Sequence, residues 1–165
     1  MAEPLKYKAE KTIAEWIAMD LGWNTYTGQN PTEQVPPCVT VYAAGMSEAF
    51  PNGAPKNVRL TIEIVSGFDR DANGNTIAGE NADRLTGYDI HRQAVAKVEA
   101  RLQDVHGLQA WANGGADRPC SQFHIYDIQE DSQQSTMSGE DRVLLSMFGI
   151  TLVCQAVDAS TQASD

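Results

Sequence analysis

The chain has 165 residues, 22 acids and 12 lysines and arginines, for a net charge of -10. That length supports one domain rather than two, and the charge opposes binding to phosphate backbones and anionic membrane surfaces, which excludes a nucleic-acid reader. Val, Ile, Leu and Phe make up 33 residues, or 20%, a level at which the core is thin and burial must be shared with long loops and neighbouring subunits.

Lys6, Lys8 and Lys11 open the chain among polar residues with no apolar run behind them, so no secretory signal is expected. Nor does any stretch approach the ~18 apolar residues of a membrane span, and the expectation is a soluble protein made in a cytoplasm. Residues 1–8 read as an N-terminal arm, 158–165 as a C-terminal tail, and 1–165 as a single α+β domain. Over 9–21, Ile13, Trp16, Ile17 and Leu21 recur at helical spacing, and Gly22 stands where a helix commonly ends. Residues 22–37 carry Gly28, Asn30-Pro31 and Pro36-Pro37 and read as a long irregular segment. The first strand is predicted over 38–44. Residues 57–65 alternate, with Val58, Leu60, Ile62 and Ile64 on one face and Arg59, Thr61 and Glu63 on the other, and predict the clearest strand.

A turn-rich stretch from Ser66 to Asp83 leads to a predicted helix that opens with the capping box Thr86-Gly87-Tyr88-Asp89 and stops at Gly107. Ile90, Ala94, Val95, Val98, Leu102 and Val105 fall within an arc of about 140°, with His91 near its centre. One face is therefore expected to pack on a sheet and the other to be wet. After a Gly-rich connection from Leu108 to Pro119, residues 122–129 and 143–157 predict a hairpin joined by the polar turn region Ser132 to Arg142. In the last strand both parities are apolar: Leu144, Phe148, Ile150, Leu152 and Cys154 on one, Val143, Leu145, Met147 and Val153 on the other. A single helical layer covers only one set, so the second is expected to meet another subunit or the first helix. The predicted fold is a four-stranded, mainly antiparallel sheet against a long helix, with an N-terminal helix and long loops.

Cys38, Cys120 and Cys154, an odd number at wide spacings, argue against a disulfide framework. Cys120 and His124 lie about 13 Å apart on a strand, too far to share one zinc ion. The sharpest motif runs from Asp69 to Glu80 and fits the calcium-loop pattern, with Asp69, Asp71, Asn73 and Asn75 supplying oxygen, Gly74 the sharp turn and Glu80 a bidentate carboxylate. A strand rather than a helix precedes it, and Asn73-Gly74 is also a strong two-residue turn signal, so a solvated loop explains the same residues. Gly45-Met-Ser47-Glu-Ala49 approximates a nucleophile elbow but lacks the helix that the motif requires. His91 reads as a core histidine with a hydrogen-bond partner rather than a base. Residues 119–165 carry seven acids and one base, which reads as a solvated surface or as a channel wall that repels polyanions. With no catalytic constellation and no cofactor motif, an enzyme is not expected.

The order of elements, with the helix over 9–21, "VPPCVTVY", "VRLTIEIVS", the helix "YDIHRQAVAKVEARL" and the closing strand "VLLSMFGITLVC", resembles the tail terminator, or tail completion, proteins of long-tailed bacteriophages, a minor tail protein family. The resemblance covers residues 9–157 and rests on layout. It implies a homo-oligomeric ring, usually a hexamer, at the head-proximal end of the tail tube. Such a ring ends tube polymerisation and meets the tail tube protein on one side and the head connector or neck protein on the other. Strands would line a lumen through which DNA passes without specific binding, helices would lie outside, and Val143, Leu145, Met147 and Val153 would be subunit-interface residues. The protein would reside in the virion tail after assembly in the bacterial host cytoplasm, with no membrane partner. The alternatives are a related tail-tube or neck subunit and a calcium-dependent binding module built on loop 69–80.

Overall fold

The computed structural model describes residues 5–28, 37–48, 55–67, 84–113, 123–138 and 143–156. Their order is α1 (Leu5–Leu21), β1 (Asn24–Thr27), β2 (Cys38–Glu48), β3 (Lys56–Gly67), α2 (Arg84–Gln103), α3 (Val105–Asn113), β4 (Phe123–Ser138) and β5 (Val143–Ala156). The strands form one sheet in the order β1-β2-β3-β5-β4. Every pairing is antiparallel except that of β1, which runs parallel to β2.

The alternation in β3 decides which face is core. Val58, Leu60, Ile62 and Ile64 are each at most 1% exposed, and the register sets them beside Val39 and Val41 of β2 and beside Phe148, Ile150 and Leu152 of β5. The same row continues into Ile125 and Ile128 of β4. Ile13 and Ile17 of α1, Ala94, Val98 and Leu102 of α2 and Leu108 of α3 join these residues in one cluster. All three helices therefore lie on one face of the sheet. At a cost of about 2–5 kcal/mol for removing a buried aliphatic side chain, positions such as Ile62 carry much of the stability of a small core.

The helices meet at Trp16. Its Nε1 donates to the Arg101 carbonyl at 2.8 Å, the Arg101 guanidinium lies 4.2 Å from its ring centroid, and Trp111 of α3 packs 5.4 Å away. α1 ends where Gly22 takes φ 74°, the left-handed conformation that glycine adopts without penalty.

Several boundaries depart from the sequence expectation. The sheet has five strands and is mixed rather than four-stranded, because Asn24–Thr27, inside the segment read as irregular, pairs with Cys38–Val41. Four residues, two of them exposed, are too few and too polar to show a period. α1 starts at Leu5, so residues 5–8 are its first turn rather than part of an arm. The long helix opens at Arg84, ahead of the expected capping box, and does not stop at Gly107. It breaks at Asp104, whose Oδ1 accepts from the Gly107 N–H at 3.0 Å, and α3 continues to Asn113. Asp104 is thus an N-cap and Gly107 the third residue of the new helix. β4 runs on to Ser138, so Ser132–Ser138 is strand rather than turn.

Candidate assembly surface

The face of the sheet opposite the helices is built by the second parity of each strand. Across it run the rows Cys38-Val65-Leu145, Thr40-Glu63-Met147 and Tyr42-Thr61-Gly149, then Arg59 beside Thr151 and Asn57 beside Val153. Cys38 and Thr40 are buried at 1% exposure. Leu145, Met147, Val153 and Val65 are half-buried, and Arg59 is exposed. No described helix covers this face. α1 packs with the other two helices on the opposite side, so it cannot be what meets the second apolar set of β5.

Of the four expected interface residues, Leu145 and Met147 stand together with Val65, while Val153 lies about 20 Å further along β5, beyond Gly149 and Thr151. Val143 opens the strand, paired with Gly67 and Ser138. The middle of the face is polar: the Tyr42 hydroxyl donates to Glu63 Oε1 at 3.1 Å, and Arg59 lies over Gly45 at a β-bulge in β2. Burial, with the Glu63 charge beside it, pushes the Cys38 thiol up to about 11, which makes it an inert thiol.

The other titratable cluster sits inside. His91 of α2 is 6% exposed and lies between Ser66 of β3, with Oγ 2.7 Å from Nδ1, and Ser146 of β5, with Oγ 2.8 Å from Nε2. Burial pushes its pKa down to about 4, so the ring is neutral at pH 7, accepting from one serine and donating to the other. A serine-histidine contact can serve acyl transfer, but Ser66 and Ser146 are 2% and 1% exposed, no carboxylate among the described residues is hydrogen-bonded to His91, and a buried hydroxyl is closed to substrate. The arrangement is a staple between helix and sheet. Its sequence signal was three polar residues at core positions: His91 in an apolar arc, Ser66 continuing the parity of Ile64, and Ser146 between Leu144 and Phe148.

Ser47 is an exposed residue within β2, not at a helix start. Asp69, Asp71, Asn73, Asn75 and Glu80 of the calcium-like loop, and Cys120, lie outside the described residues, while His124 stacks edge-on against Tyr126 at 4.6 Å. Among the described residues no group of three His, Cys, Asp or Glu side chains is placed to hold a metal ion, and no helix is long and apolar enough to cross a membrane.

A protein of a virion shares this fold. The solved structure titled "Virion of native gene transfer agent (GTA) particle" contains a chain similar to this one with TM-score 0.50 and 13% sequence identity, over 93% of this chain and 100% of that one. No family model matches, and no curated protein matches. The likeness spans the whole of that chain and nearly all of this one.

Proposed function

We propose that this chain is a structural protein of a phage-like virion, acting as the ring subunit that ends the tail tube and joins it to the head connector or neck protein. The observation that carries this reading is the end-to-end likeness to a chain of a gene transfer agent virion. The one-sided helical layer supports it: a sheet backed by helices on one face and half-apolar on the other suits a closed ring, with helices outward and the sheet facing the tube axis or the adjoining ring. The net charge of -10 suits a lumen through which DNA slides without being held. The role is assembly, with neither enzyme activity nor a cofactor.

Mixing the purified protein with tail tube protein and imaging by negative-stain electron microscopy tests this. The expected outcome is tubes that stop growing and carry a ring at one end. Incorporation along the tube length would identify a tube subunit instead, and tubes of unaltered length with bare ends would contradict the proposal.

A further inference from the structure

Among the described residues, both outer edges of the sheet are protected along half their length and have no partner along the other half. On the β2 side, β1 covers Cys38–Val41, the Gly28 N–H closes on the Val41 carbonyl at 2.9 Å, and Glu10 Oε1 accepts from the Ala43 N–H at 2.7 Å. Beyond that point, among the described residues, no strand or helix side chain takes the outward backbone groups, which by strand alternation belong to Met46 and Glu48. On the β4 side, Asn113 of α3 clasps Ile125, donating from Nδ2 to its carbonyl and accepting its N–H, while Gln109 donates to the Tyr126 carbonyl and Asp127 caps the Ile128 N–H. Past Ile128 the strand runs ten more residues to Ser138 with no described neighbour on that edge, and Gln133, Ser135 and Met137 present the outward groups. A row of backbone groups with no partner among the described residues is a template for another strand.

We infer that these two half-edges are each other's partners in successive copies of this chain: β2 of one subunit pairs antiparallel with β4 of the next, and the sheets join into one closed barrel. Two copies meeting through different surfaces form a heterologous contact, which generates a ring when the rotation closes. Direction fits, because β2 and β4 run opposite ways in the sheet, so side-by-side copies meet antiparallel.

Height fits as well. Met46 is level with Leu152 through Val58, and Ser135 is level with Ser146, so joining Met46 to Ser135 and Glu48 to Gln133 needs a stagger of six residues along the strands. With β1 below the junction each unit contributes four strands to the wall, and closing a barrel from four-stranded units tilted by 35–45° requires a stagger of about 4–6 residues per unit. The sense of the stagger also agrees. With the β3-α2-α3-β4 crossover right-handed, as such connections are, the order seen from the helix side with β2 upward is β4 on the left and β1 on the right. The right-handed coiling of barrel strands then brings the upper part of β2 to the lower part of the neighbour's β4 when the helices are outside, and away from it when they are inside.

Six such units would make a barrel of 24 strands about 50 Å across its backbone, wide enough for a double helix. The pairing rests on the ring reading above.

The test uses two edge prolines, Met46→Pro and Ser135→Pro, each removing one outward N–H at a place where a strand tolerates proline. Circular dichroism at 25 °C should show both folded like the wild type. Sedimentation velocity should show the wild type as a ring, each variant as a monomer, and an equimolar mixture of the two as a dimer that grows no further, since one edge of each remains intact. Rings formed by both variants would overturn the edge pairing and leave the ring reading standing. Loss of assembly in Ser135→Pro alone would overturn it in favour of a two-fold β4 contact. Wild-type protein that stays monomeric at high concentration and in the presence of tube protein would overturn the ring reading and the pairing with it.

Discussion

His91 shows how one residue can be visible in a sequence while its role is not. Its place in the apolar arc of α2 marked it as buried, but the two serines that hold it come from strands 25 and 55 residues away, and only the folded sheet brings them level. Because burial lowers its pKa from 6.5 to about 4, the unfolded chain binds the extra proton between those values. The staple's contribution is therefore complete above pH 6.5 and is lost as pH falls toward 4, by on the order of 2 kcal/mol. Urea denaturation at pH 7 and pH 4.5 should show this loss in the wild type and a smaller pH difference in His91→Ala, which should itself be less stable at pH 7. An equal pH difference in the two proteins would remove His91 as its source. At the same scale, Asp104→Ala should lower stability by about 1 kcal/mol through loss of the α3 cap, read by thermal melting.

At the scale of elements, strong periodicity carried through to the structure and weak periodicity did not. β3, with four alternating aliphatics, and the α2 arc of Ala94, Val98 and Leu102 stand as the pattern predicts. β1 was invisible, since its pairing depends on β2 offering an edge and not on any pattern in Asn-Thr-Tyr-Thr. The polar run Ser132–Ser138 read as a turn because its sequence carries turn residues, yet pairing to Val143–Gly149 holds it as strand. Gly107 read as a stop because the cap at Asp104, three residues earlier, is a contact between side chain and backbone that composition does not reveal. The clasp of Asn113 on Ile125 gives these edges a measurable consequence: Asn113→Ala should cost about 1–3 kcal/mol in chemical denaturation, as two backbone groups at a part-buried edge lose their partners, and should speed amide hydrogen exchange at Ile125. Unchanged exchange there would mean that the clasp contributes nothing.

For the whole molecule, the two apolar parities of β5 have different fates, although the sequence makes them look alike. Phe148 is fully buried under the helices, and Phe148→Asp should unfold the monomer. Leu145 is half-buried on the face that no described helix covers, and Leu145→Asp should leave the circular dichroism spectrum intact while weakening assembly at least tenfold. That asymmetry and the two edges without a described partner are the surfaces that the proposed ring would bury. The measurement that bears most directly on this is sedimentation velocity of the wild-type protein at low and high concentration, with calcium and with chelator, followed by addition of tube protein. A single ring-sized species, independent of calcium and formed either alone or on the tube end, is the expected result. A monomer that ignores tube protein, or one whose shape changes only with calcium, would contradict it.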